Sequence, residues 1–386
     1  MAKKTTIGLG LFFNNQTNSG IVNYIYNIVA ALNKLPKESQ PNIILLHSED
    51  AEIALIKEIN YDKILFLKHQ KYPNNLLLRI HIRFLEILFT KNYYQIYRLG
   101  RKICCFYPYF PFLNEDLKDL KNKIEWLVDF NNLAFPMFYD DKGVYMTLYQ
   151  KKLTESTQTI VLSSNSLFDE LKHYYPNFKN KVKILRFACS LPNLSKIDAN
   201  SIKEKHKVDK PYFMSPNQFW EHKNQIVVLK AIKILKEKRP ELKFKVLFTG
   251  SLSVNRGKGL YIEKLRSSIY EYEIEDYVQF LGVLERKEQL ILMKESLSLI
   301  QPSLYEGWST LVEEAKALNK FILLSNLPVH QEQIQENCYF FEPHNDLTLS
   351  ELMEKVLDKK VTISNFDYEQ NIIQYGMDIL DAFTTN

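Results

Sequence analysis

The sequence has few cysteines and lacks the signature motifs of several common enzyme classes. Its four cysteines are two neighbours, Cys104 and Cys105, and two distant residues, Cys189 and Cys338. This spacing forms neither a C-x-x-C pair nor a zinc ribbon, so we expect buried, free cysteines in a reducing cytoplasm. The motifs H-E-x-x-H, G-x-S-x-G and G-x-x-x-x-G-K-[ST] are absent. Their absence argues against metalloproteases, nucleophile-elbow hydrolases and P-loop enzymes.

Long apolar runs and a dominant charge are also missing. The start, MAKKTTIGLGLFF, places two lysines before an apolar run, but that run is short and the polar residues 14–19 follow it. We expect a buried first strand there, not a signal peptide or a membrane span. The net charge of +5 is too mixed to indicate a nucleic-acid partner. It is compatible with anionic ligands or a membrane surface.

Short apolar runs alternate with amphipathic segments along the whole chain, which is typical of parallel sheets covered by helices. The 386 residues fit about two domains. We predict an α/β fold of two Rossmann-like doubly wound domains facing across a cleft, residues 1–200 and 201–386, with the last helix packing back on the first domain. Strands are predicted at 6–12, 43–47, 63–66, 126–129, 159–162, 183–186, 212–215, 243–249, 278–281, 297–301 and 321–325. Helices are predicted at 21–32, 167–173, 224–237, 261–271, 288–295 and 310–318.

The strongest candidate site is the segment LYEGWSTLVEE at 304–314, between a predicted strand and a predicted helix. Thr310 and Glu313 have the spacing of a capping box, so the backbone amides at the helix start can bind an anion. Glu306 precedes these amides and Glu314 follows them. Two carboxylates beside an anion site suit the hydroxyls of a sugar and a ribose flanking a diphosphate. The alternative is a solvated, capped helix with incidental acids.

A second candidate is SPNQFWEHKN at 215–224, which also lies between a strand and a helix. Asn224 is the predicted N-cap of that helix. A cation beside a helix N-terminus is intrinsically disfavoured, so Lys223 indicates an anion between them. The alternative is a surface lysine whose stem packs on the protein.

Two weaker candidates complete the set. The polar loop 14–20 ends in Gly20, and glycine permits a close approach of backbone to a ligand. Gly8 and Gly10 lack the third glycine of a dinucleotide fingerprint, so a connecting turn is the alternative. His330 and Glu332 follow a strand, and we expect hydrogen bonding from them and not a metal site.

These segments together resemble one family. NQFWEHKN at 217–224, FTG at 248–250, FLG at 280–282 and PSLYEGWSTLVEEAKAL at 302–318 are similar to the nucleotide-binding half of GT-B retaining glycosyltransferases of family 4. The spacing from Glu306 to Glu314 corresponds to the family's E-x7-E motif. In the first half only the strand–glycine-loop–helix start and DFNNLAFP at 129–136 are similar.

The resemblance implies roles for individual residues. Glu306 and Lys223 would be catalytic, with Glu306 holding hydroxyls of the donor sugar and Lys223 neutralising the diphosphate. Glu314 would bind the ribose, and Val283 and Leu284 would read the base through their backbone. The full donor-binding set is Gly20, Asn217, Gln218, Gly250, Val283, Leu284, Gly307, Trp308, Ser309, Thr310 and Glu314. On the acceptor side, in the N-terminal domain, it would include Asp129 and Asn132.

Two positions depart from the family pattern. Many relatives have an arginine where this chain has Gln218, so stabilisation of the diphosphate would come from Lys223, helix dipoles, Arg256 or Arg286. Segments like DFNNLAFP often have a histidine in place of Asn132. No imidazole is therefore expected at that point of the acceptor side.

The implied function is front-face transfer of a sugar, with retention, from a nucleoside-diphosphate sugar to a glycan or lipid-linked acceptor. Assembly of a bacterial surface polysaccharide is the implied context, without cofactor, metal or nucleic acid. A nucleotide-sugar epimerase or hydrolase, or a non-catalytic sugar-binding protein, is the alternative. The basic, apolar segment 76–102 indicates peripheral contact with the inner face of the cytoplasmic membrane. The alternative there is a core helix with a solvated basic face.

Overall fold

The computed structural model describes residues 5–13, 15–70, 72–89, 93–95, 98–99, 102–110, 115–139, 141, 143–252 and 260–384. Arg256, which was expected to help stabilise the diphosphate, lies outside these residues. Residues 90–92, 96–97 and 100–101 of the candidate membrane segment also lie outside them. The described chain divides into two compact units. The first comprises Met1–Val128, Gln150–Ser190 and Glu369–Asn386, and the second Asp129–Tyr149 and Leu191–Tyr368.

The first unit is built on a seven-stranded sheet of order β3-β2-β1-β4-β5-β6-β7, and the second on a six-stranded sheet of order β10-β9-β8-β11-β12-β13. All recorded strand pairs are parallel. The predicted α/β fold with two doubly wound parallel sheets is confirmed. The strands are β1 Thr6–Leu11, β2 Asn42–His47, β3 Ile64–Lys68, β4 Cys105–Tyr109, β5 Lys123–Trp126, β6 Thr159–Leu162, β7 Val182–Ile184, β8 Tyr212–Pro216, β9 Lys245–Thr249, β10 Val278–Gly282, β11 Leu299–Gln301, β12 Ile322–Ser325 and β13 Cys338–Phe341.

Helices connect most consecutive strands, as a parallel sheet requires. In chain order they are α1 Asn15–Lys34, α2 Ala54–Lys57, α3 Leu76–Phe89, α4 Tyr93–Gln95, α5 Asn131–Ala134, α6 Val144–Glu155, α7 Asn165–Tyr174, α8 Ala199–Lys205, α9 Gln225–Lys238, α10 Leu260–Glu271, α11 Arg286–Glu295, α12 Thr310–Ala317, α13 Pro328–Gln333, α14 Asp346–Leu357 and α15 Glu369–Thr384. The terminal helix α15 packs on α1 within the first unit. Their contact is close, since a Cβ on Gly376 would lie 2.7 Å from the carbonyl oxygen of Ala31.

Both faces of the second sheet are buried, which is why its strands appear as continuous apolar runs. Successive side chains of a strand point to opposite faces. On β8, Phe213 joins a cluster with α9, α10 and α14, whereas Met214 joins a separate cluster with α11 and α12. Val246 and Leu247 divide between the same two clusters. The two faces of this sheet therefore form the core, and the polar loops lie at the ends of its strands.

The sequence pattern missed the central strand β4. Pro108 lies within it, and a proline argues against a central strand because it has no N–H to donate to the ladder. The pairing of β4 with β5 shifts register between Phe106 and Tyr109. The proline thus lies at an irregularity of the ladder. The edge strand β13 was also missed.

The predicted loop at 14–20 is wrong where the structure describes it. Helix α1 begins at Asn15, and Gly20 lies inside it with its surface exposed. The apolar periodicity that marks the helix begins only at Ile21. An extension of an established helix forms readily without an apolar pattern of its own. A donor-binding role for Gly20 stays a prediction.

Candidate active site

The candidate site lies where the strand order of the second sheet reverses. Strands β8 and β11 are neighbours there, although β9 and β10 come between them in the chain. The loops after them, 217–224 and 302–309, leave the same edge of the sheet, and such a point is where ligands bind in doubly wound folds. The two loops are joined directly, since the N–H of Leu304 donates to the carbonyl oxygen of His222 at 2.7 Å.

Lys223 and Glu306 form the centre of this site. The ammonium of Lys223 lies 2.6 Å from Oε1 of Glu306, and the two side chains are only 15% and 10% exposed. Gln301 Nε2 and Ser303 Oγ donate to the same oxygen at 2.6 and 2.7 Å. Burial opposes ionisation of Glu306, but Lys223 and the Ser303 hydroxyl outweigh it and hold the pKa of the carboxyl below its usual 4.5. The carboxylate is therefore charged at neutral pH.

A chain of hydrogen bonds links this pair to the start of α12. Asn217 Nδ2 donates to Gln301 Oε1 at 2.7 Å, and Gln301 Nε2 also lies 3.2 Å from Ser309 Oγ. Ser309 is the N-cap of α12, with extended backbone and an Oγ that accepts from the N–H of Val312. The capping box predicted for Thr310 and Glu313 is wrong, since the cap is one residue earlier.

The carboxylate of Glu313 belongs to a separate, buried network. It accepts from Gln333 Nε2 at 2.9 Å and from Lys316 at 3.1 Å, and Tyr368 donates to its second oxygen. A capping-box glutamate instead turns back to the N–H of the cap residue. Glu313 therefore anchors the interior side of α12.

Gln333 fixes the backbone at the start of α12, and the sequence reasoning missed it. The N–H of Ser309 donates to Gln333 Oε1 at 3.1 Å, and Gln333 Nε2 donates to the carbonyl oxygen of Ser309 at 2.7 Å. This paired contact fixes the orientation of both peptide groups that flank Ser309. Gln333 lies in the segment 327–333, in which only His330 and Glu332 were predicted to form hydrogen bonds.

Glu314 forms a second buried ion pair. Arg286 Nη1 lies 2.6 Å from Glu314 Oε1, and the glutamate side chain is 5% exposed. Arg286 is the first residue of α11, which follows β10. The sequence named both residues for the nucleotide site but did not predict that they pair.

Gln218 and Gly250 bring together the loops after β8 and β9. Gln218 Oε1 accepts from the N–H of Ser251 at 3.0 Å. Gly250 has a φ of +141°, and a Cβ there would lie 2.7 Å from the carbonyl oxygen of Asn217. Its N–H donates to the carbonyl oxygen of Gly282 at 2.9 Å. Only glycine fits this position, because both the conformation and the space exclude a side chain.

Asn224 occupies the predicted N-cap position of α9 but does not cap the helix with its side chain. It has a left-handed backbone with φ of 55°, and its side chain makes no capping hydrogen bond to α9. Its Nδ2 donates instead to the carbonyl oxygens of Pro302 and Pro343, at 3.0 and 2.7 Å. The asparagine therefore connects the Lys223 loop to the loop that carries Glu306. Asparagine suits this position because it tolerates a left-handed backbone.

The segment with the acceptor-side candidates lies in the second unit, beside the Glu306 loop. The N–H of Phe130 donates to the Tyr305 hydroxyl at 2.9 Å. Asp129 Oδ1 accepts from the N–H of Asn131, and Asn132 is 2% exposed, with Nδ2 donating to Thr147 Oγ1 at 3.0 Å. An acceptor role for Asp129 and Asn132 stays a prediction.

The remaining donor-site candidates differ in exposure. Gly307 is buried and Trp308 and Thr310 are half-buried, all three at the entrance to α12. Val283 is 73% exposed, whereas Leu284 packs against the core beneath α11 and α12. The structure thus brings the C-terminal candidates to one sheet edge, and their binding roles stay predictions.

His330 is buried against the same site. Its Nδ1 lies 2.8 Å from the carbonyl oxygen of Ser325, so this nitrogen carries the proton. Its Nε2 has no hydrogen-bond partner within the described part of the chain. Burial lowers the pKa of the imidazole below its usual 6.5, against the attraction of Glu306. Over the described ranges, no group of three or more His, Cys, Asp or Glu residues could hold a metal ion.

The buried imidazole predicts a specific pH dependence of stability. Because the folded-state pKa is lowered, the unfolded chain binds a proton below about pH 6.5 that the folded chain does not. The His330 contribution is present above this pH and is lost as the pH falls towards the folded-state pKa, at about 1.4 kcal/mol per pH unit. Urea unfolding at neutral and mildly acidic pH should show a smaller loss in His330→Gln than in the wild type. Exposed His173→Gln serves as the control, and equal losses in all three proteins would contradict the assignment.

The fold and the site define the class of this structure as GT-B. It has two doubly wound parallel sheets, and the second sheet carries paired charges where its strand order reverses. The HepE protein of Anabaena, solved with UDP and glucose, has this fold with a TM-score of 0.68 at 12% identity, over 100% of both chains. Residues 196–378, nearly half of the chain, match the family Glycosyl transferases group 1. The recognition of a GT-B glycosyltransferase is thereby confirmed, and family 4 stays a prediction.

Two curated relatives are similar in sequence. The O-antigen chain mannosyltransferase of Salmonella typhimurium is 22% identical over 254 residues, 65% of this chain and 66% of that protein. An uncharacterised glycosyltransferase of Methanocaldococcus jannaschii is 23% identical over 291 residues, 74% of this chain and 56% of that protein. The matches therefore span about two thirds or less of each relative.

Proposed function

We propose that this chain is a retaining, family 4 glycosyltransferase that transfers a hexose from a nucleoside-diphosphate sugar to a glycan or lipid-linked acceptor. The observation that supports it most is the buried pair of Lys223 and Glu306 at the reversal point of the second sheet. Two motifs 83 residues apart in sequence converge there on one oxygen atom. A polysaccharide at the cell surface is the proposed product, in line with the O-antigen enzyme among the relatives.

The reaction requires charge stabilisation more than a protein nucleophile. As the bond between the sugar and the diphosphate breaks, negative charge grows on the phosphate oxygens. Lys223 and the backbone amides at the start of α12 would stabilise this charge, because preorganised donors require no reorganisation during reaction. Glu306 would accept hydrogen bonds from sugar hydroxyls, and the departing phosphate would take the acceptor's proton. We keep the expectation that no metal or cofactor takes part, since the resemblance implies none.

The two ion pairs make the site nearly neutral before a ligand binds. Lys223 is balanced by Glu306, and Arg286 by Glu314. A bare diphosphate therefore gains little net attraction, whereas a ligand with hydroxyl groups can also donate to the carboxylates. This balance favours a nucleotide sugar over inorganic anions. The alternatives, a nucleotide-sugar epimerase or hydrolase and a non-catalytic sugar-binding protein, would bind the same ligand, so an assay of transfer separates them from a transferase.

A thermal-shift screen of the purified protein against UDP, GDP, ADP and CMP tests the proposal. One nucleotide should raise the midpoint, by an amount that at 100 times its Kd corresponds to about 2.7 kcal/mol. The donor sugars of that base are then assayed for transfer to a lipid-linked acceptor extract. The proposal is wrong if no nucleotide binds, or if the bound donor is only epimerised or hydrolysed when acceptor is present.

Replacing Glu314 should separate ribose recognition from phosphate recognition. In Glu314→Gln the ribose loses a charged acceptor, while Arg286 is released to face anions. Affinity for the nucleoside diphosphate should fall about 10- to 150-fold, as for loss of a hydrogen bond to a charged group. Affinity for inorganic pyrophosphate should stay unchanged or rise. Calorimetric titration measures both, with exposed Glu336→Gln as the control, and equal weakening of both ligands would refute the ribose role.

A further inference from the structure

Helix α3 presents its apolar face to solvent. In this fully described helix the only buried residue is Ile82. Taking 3.6 residues per turn, six large apolar side chains fall within an arc of about 120° centred opposite Ile82. They are Leu76, Leu77, Ile80, Phe84, Ile87 and Leu88, each 58–79% exposed. An ordinary surface helix of a globular protein has the reverse arrangement, so the core-helix alternative is wrong.

Basic side chains flank this apolar face. Arg79 and Arg83 are one turn apart on the same side of the helix, and both guanidinium groups stack on the ring of Tyr72, at 5.3 and 4.8 Å. Arg83 also donates to the Tyr72 hydroxyl at 2.8 Å. The single acid of α3 is Glu86. The arginines are thus held along the border of the apolar face, where they can meet phosphate groups while the face is immersed in acyl chains.

The helix is too short to cross a bilayer. Fourteen residues span about 21 Å, whereas the hydrocarbon core of a bilayer is about 30 Å thick. No helix in the described residues is long and apolar enough to be a membrane span. An orientation parallel to a membrane surface is the geometry that buries the six apolar side chains.

We propose that α3 binds flat on an anionic lipid bilayer, with the face formed by Leu76, Leu77, Ile80, Phe84, Ile87 and Leu88 inserted and Arg79 and Arg83 at the phosphates. This surface is independent of the proposed transfer activity. A second copy of the chain fits it less well. A symmetric pairing of two α3 faces would align arginines with few acids to compensate them.

Vesicle sedimentation of the full chain tests this assignment. The protein should bind vesicles of phosphatidylcholine with phosphatidylglycerol, bind pure phosphatidylcholine weakly, and dissociate partly at high salt. Ile80→Ser with Phe84→Ser should lower the partition coefficient more than tenfold, because two inserted side chains are lost. The double variant Arg79→Gln, Arg83→Gln should lower it about 30-fold on anionic vesicles, or about fivefold per charge, and leave binding to neutral vesicles unchanged.

The controls use the same chemistry at another exposed helix. Val144 and Leu148 are 54% and 62% exposed on α6 with the same spacing of four residues, so Val144→Ser with Leu148→Ser should bind as the wild type does. In Ile87→Trp, the emission that exceeds that of the wild type, which has three tryptophans, should shift to the blue with anionic vesicles. Equal partition of wild type and the α3 variants, or an unshifted tryptophan, overturns the proposal. The proposal is also overturned if the wild type does not bind vesicles and instead forms a dimer that Phe84→Ser dissociates.

Discussion

Lys223→Ala is expected to lower kcat for sugar transfer by about 10²–10³-fold, equivalent to about 2.7–4 kcal/mol of transition-state stabilisation. The ammonium lies against a charged, buried carboxylate, where water screens it little. Because negative charge grows on the diphosphate only as the bond breaks, kcat should fall more than KM rises. Steady-state kinetics with the donor identified by the nucleotide screen measure both parameters.

Loss of Lys223 also leaves Glu306 buried without its cation, which destabilises a protein by about 3–5 kcal/mol. The double variant Lys223→Ala, Glu306→Gln removes both charges and should recover most of that stability in urea unfolding. It should not recover kcat. Lys238→Ala is the control for a lost surface charge, because Lys238 is 55% exposed and its partner Glu354 keeps a second cation, Arg239. Recovery of transfer in the double variant would show that Lys223 acts only by supporting the fold.

The convergence of Lys223 and Glu306 could be predicted because it follows from topology. Each residue lies in a loop directly after an apolar strand, and the carboxyl ends of neighbouring parallel strands meet. Strand β6 was predicted with its observed limits, Thr159–Leu162, since its apolar run is bounded by polar residues on both sides. A sequence pattern can locate the ends of a strand where polar residues bound an apolar run in this way.

Other parts of the site have no periodic or spacing signal. The amide side chains of Gln301 and Gln333 each connect two or more elements, and nothing in their sequence neighbours distinguishes them from surface glutamines. Ser309 and Thr310 are both favoured cap residues, and the capping-box spacing to Glu313 selected Thr310, the wrong one of the two. The pairing of Arg286 with Glu314 depends on the relative position of α11 and α12, which only the packed sheet determines.

The sequence of α3 left two readings open because hydrophobic periodicity shows that a face is apolar but not where it points. A core helix and a membrane-surface helix share the same pattern. The deciding observation is exposure, and it comes from packing: only Ile82 reaches the interior. Sequence therefore predicts the amphipathic helix, and the structure supplies its orientation.

Gly250→Ala is expected to be the most destabilising single methyl addition at the site. The new Cβ would lie 2.7 Å from the carbonyl oxygen of Asn217 and 3.2 Å from Cα of Gln218. Both are backbone atoms, so relief requires movement of the loop after β8. Adding the strain of a φ of +141° to this overlap, we expect a loss of about 2–5 kcal/mol of unfolding free energy. Nucleotide affinity should fall as well, because the displaced loop carries Asn217, Gln218 and Lys223.

Gly282→Ala provides the matched comparison. Gly282 also has a positive φ, +70°, but a Cβ there meets nothing within 4 Å. Its substitution should therefore show conformational strain alone, about 1–2 kcal/mol. Urea unfolding of the two variants side by side separates overlap from strain, and calorimetry with the bound nucleotide shows whether only Gly250→Ala weakens the site. If both variants lose equal stability and equal affinity, the close approach of the loops after β8 and β9 does not shape the site.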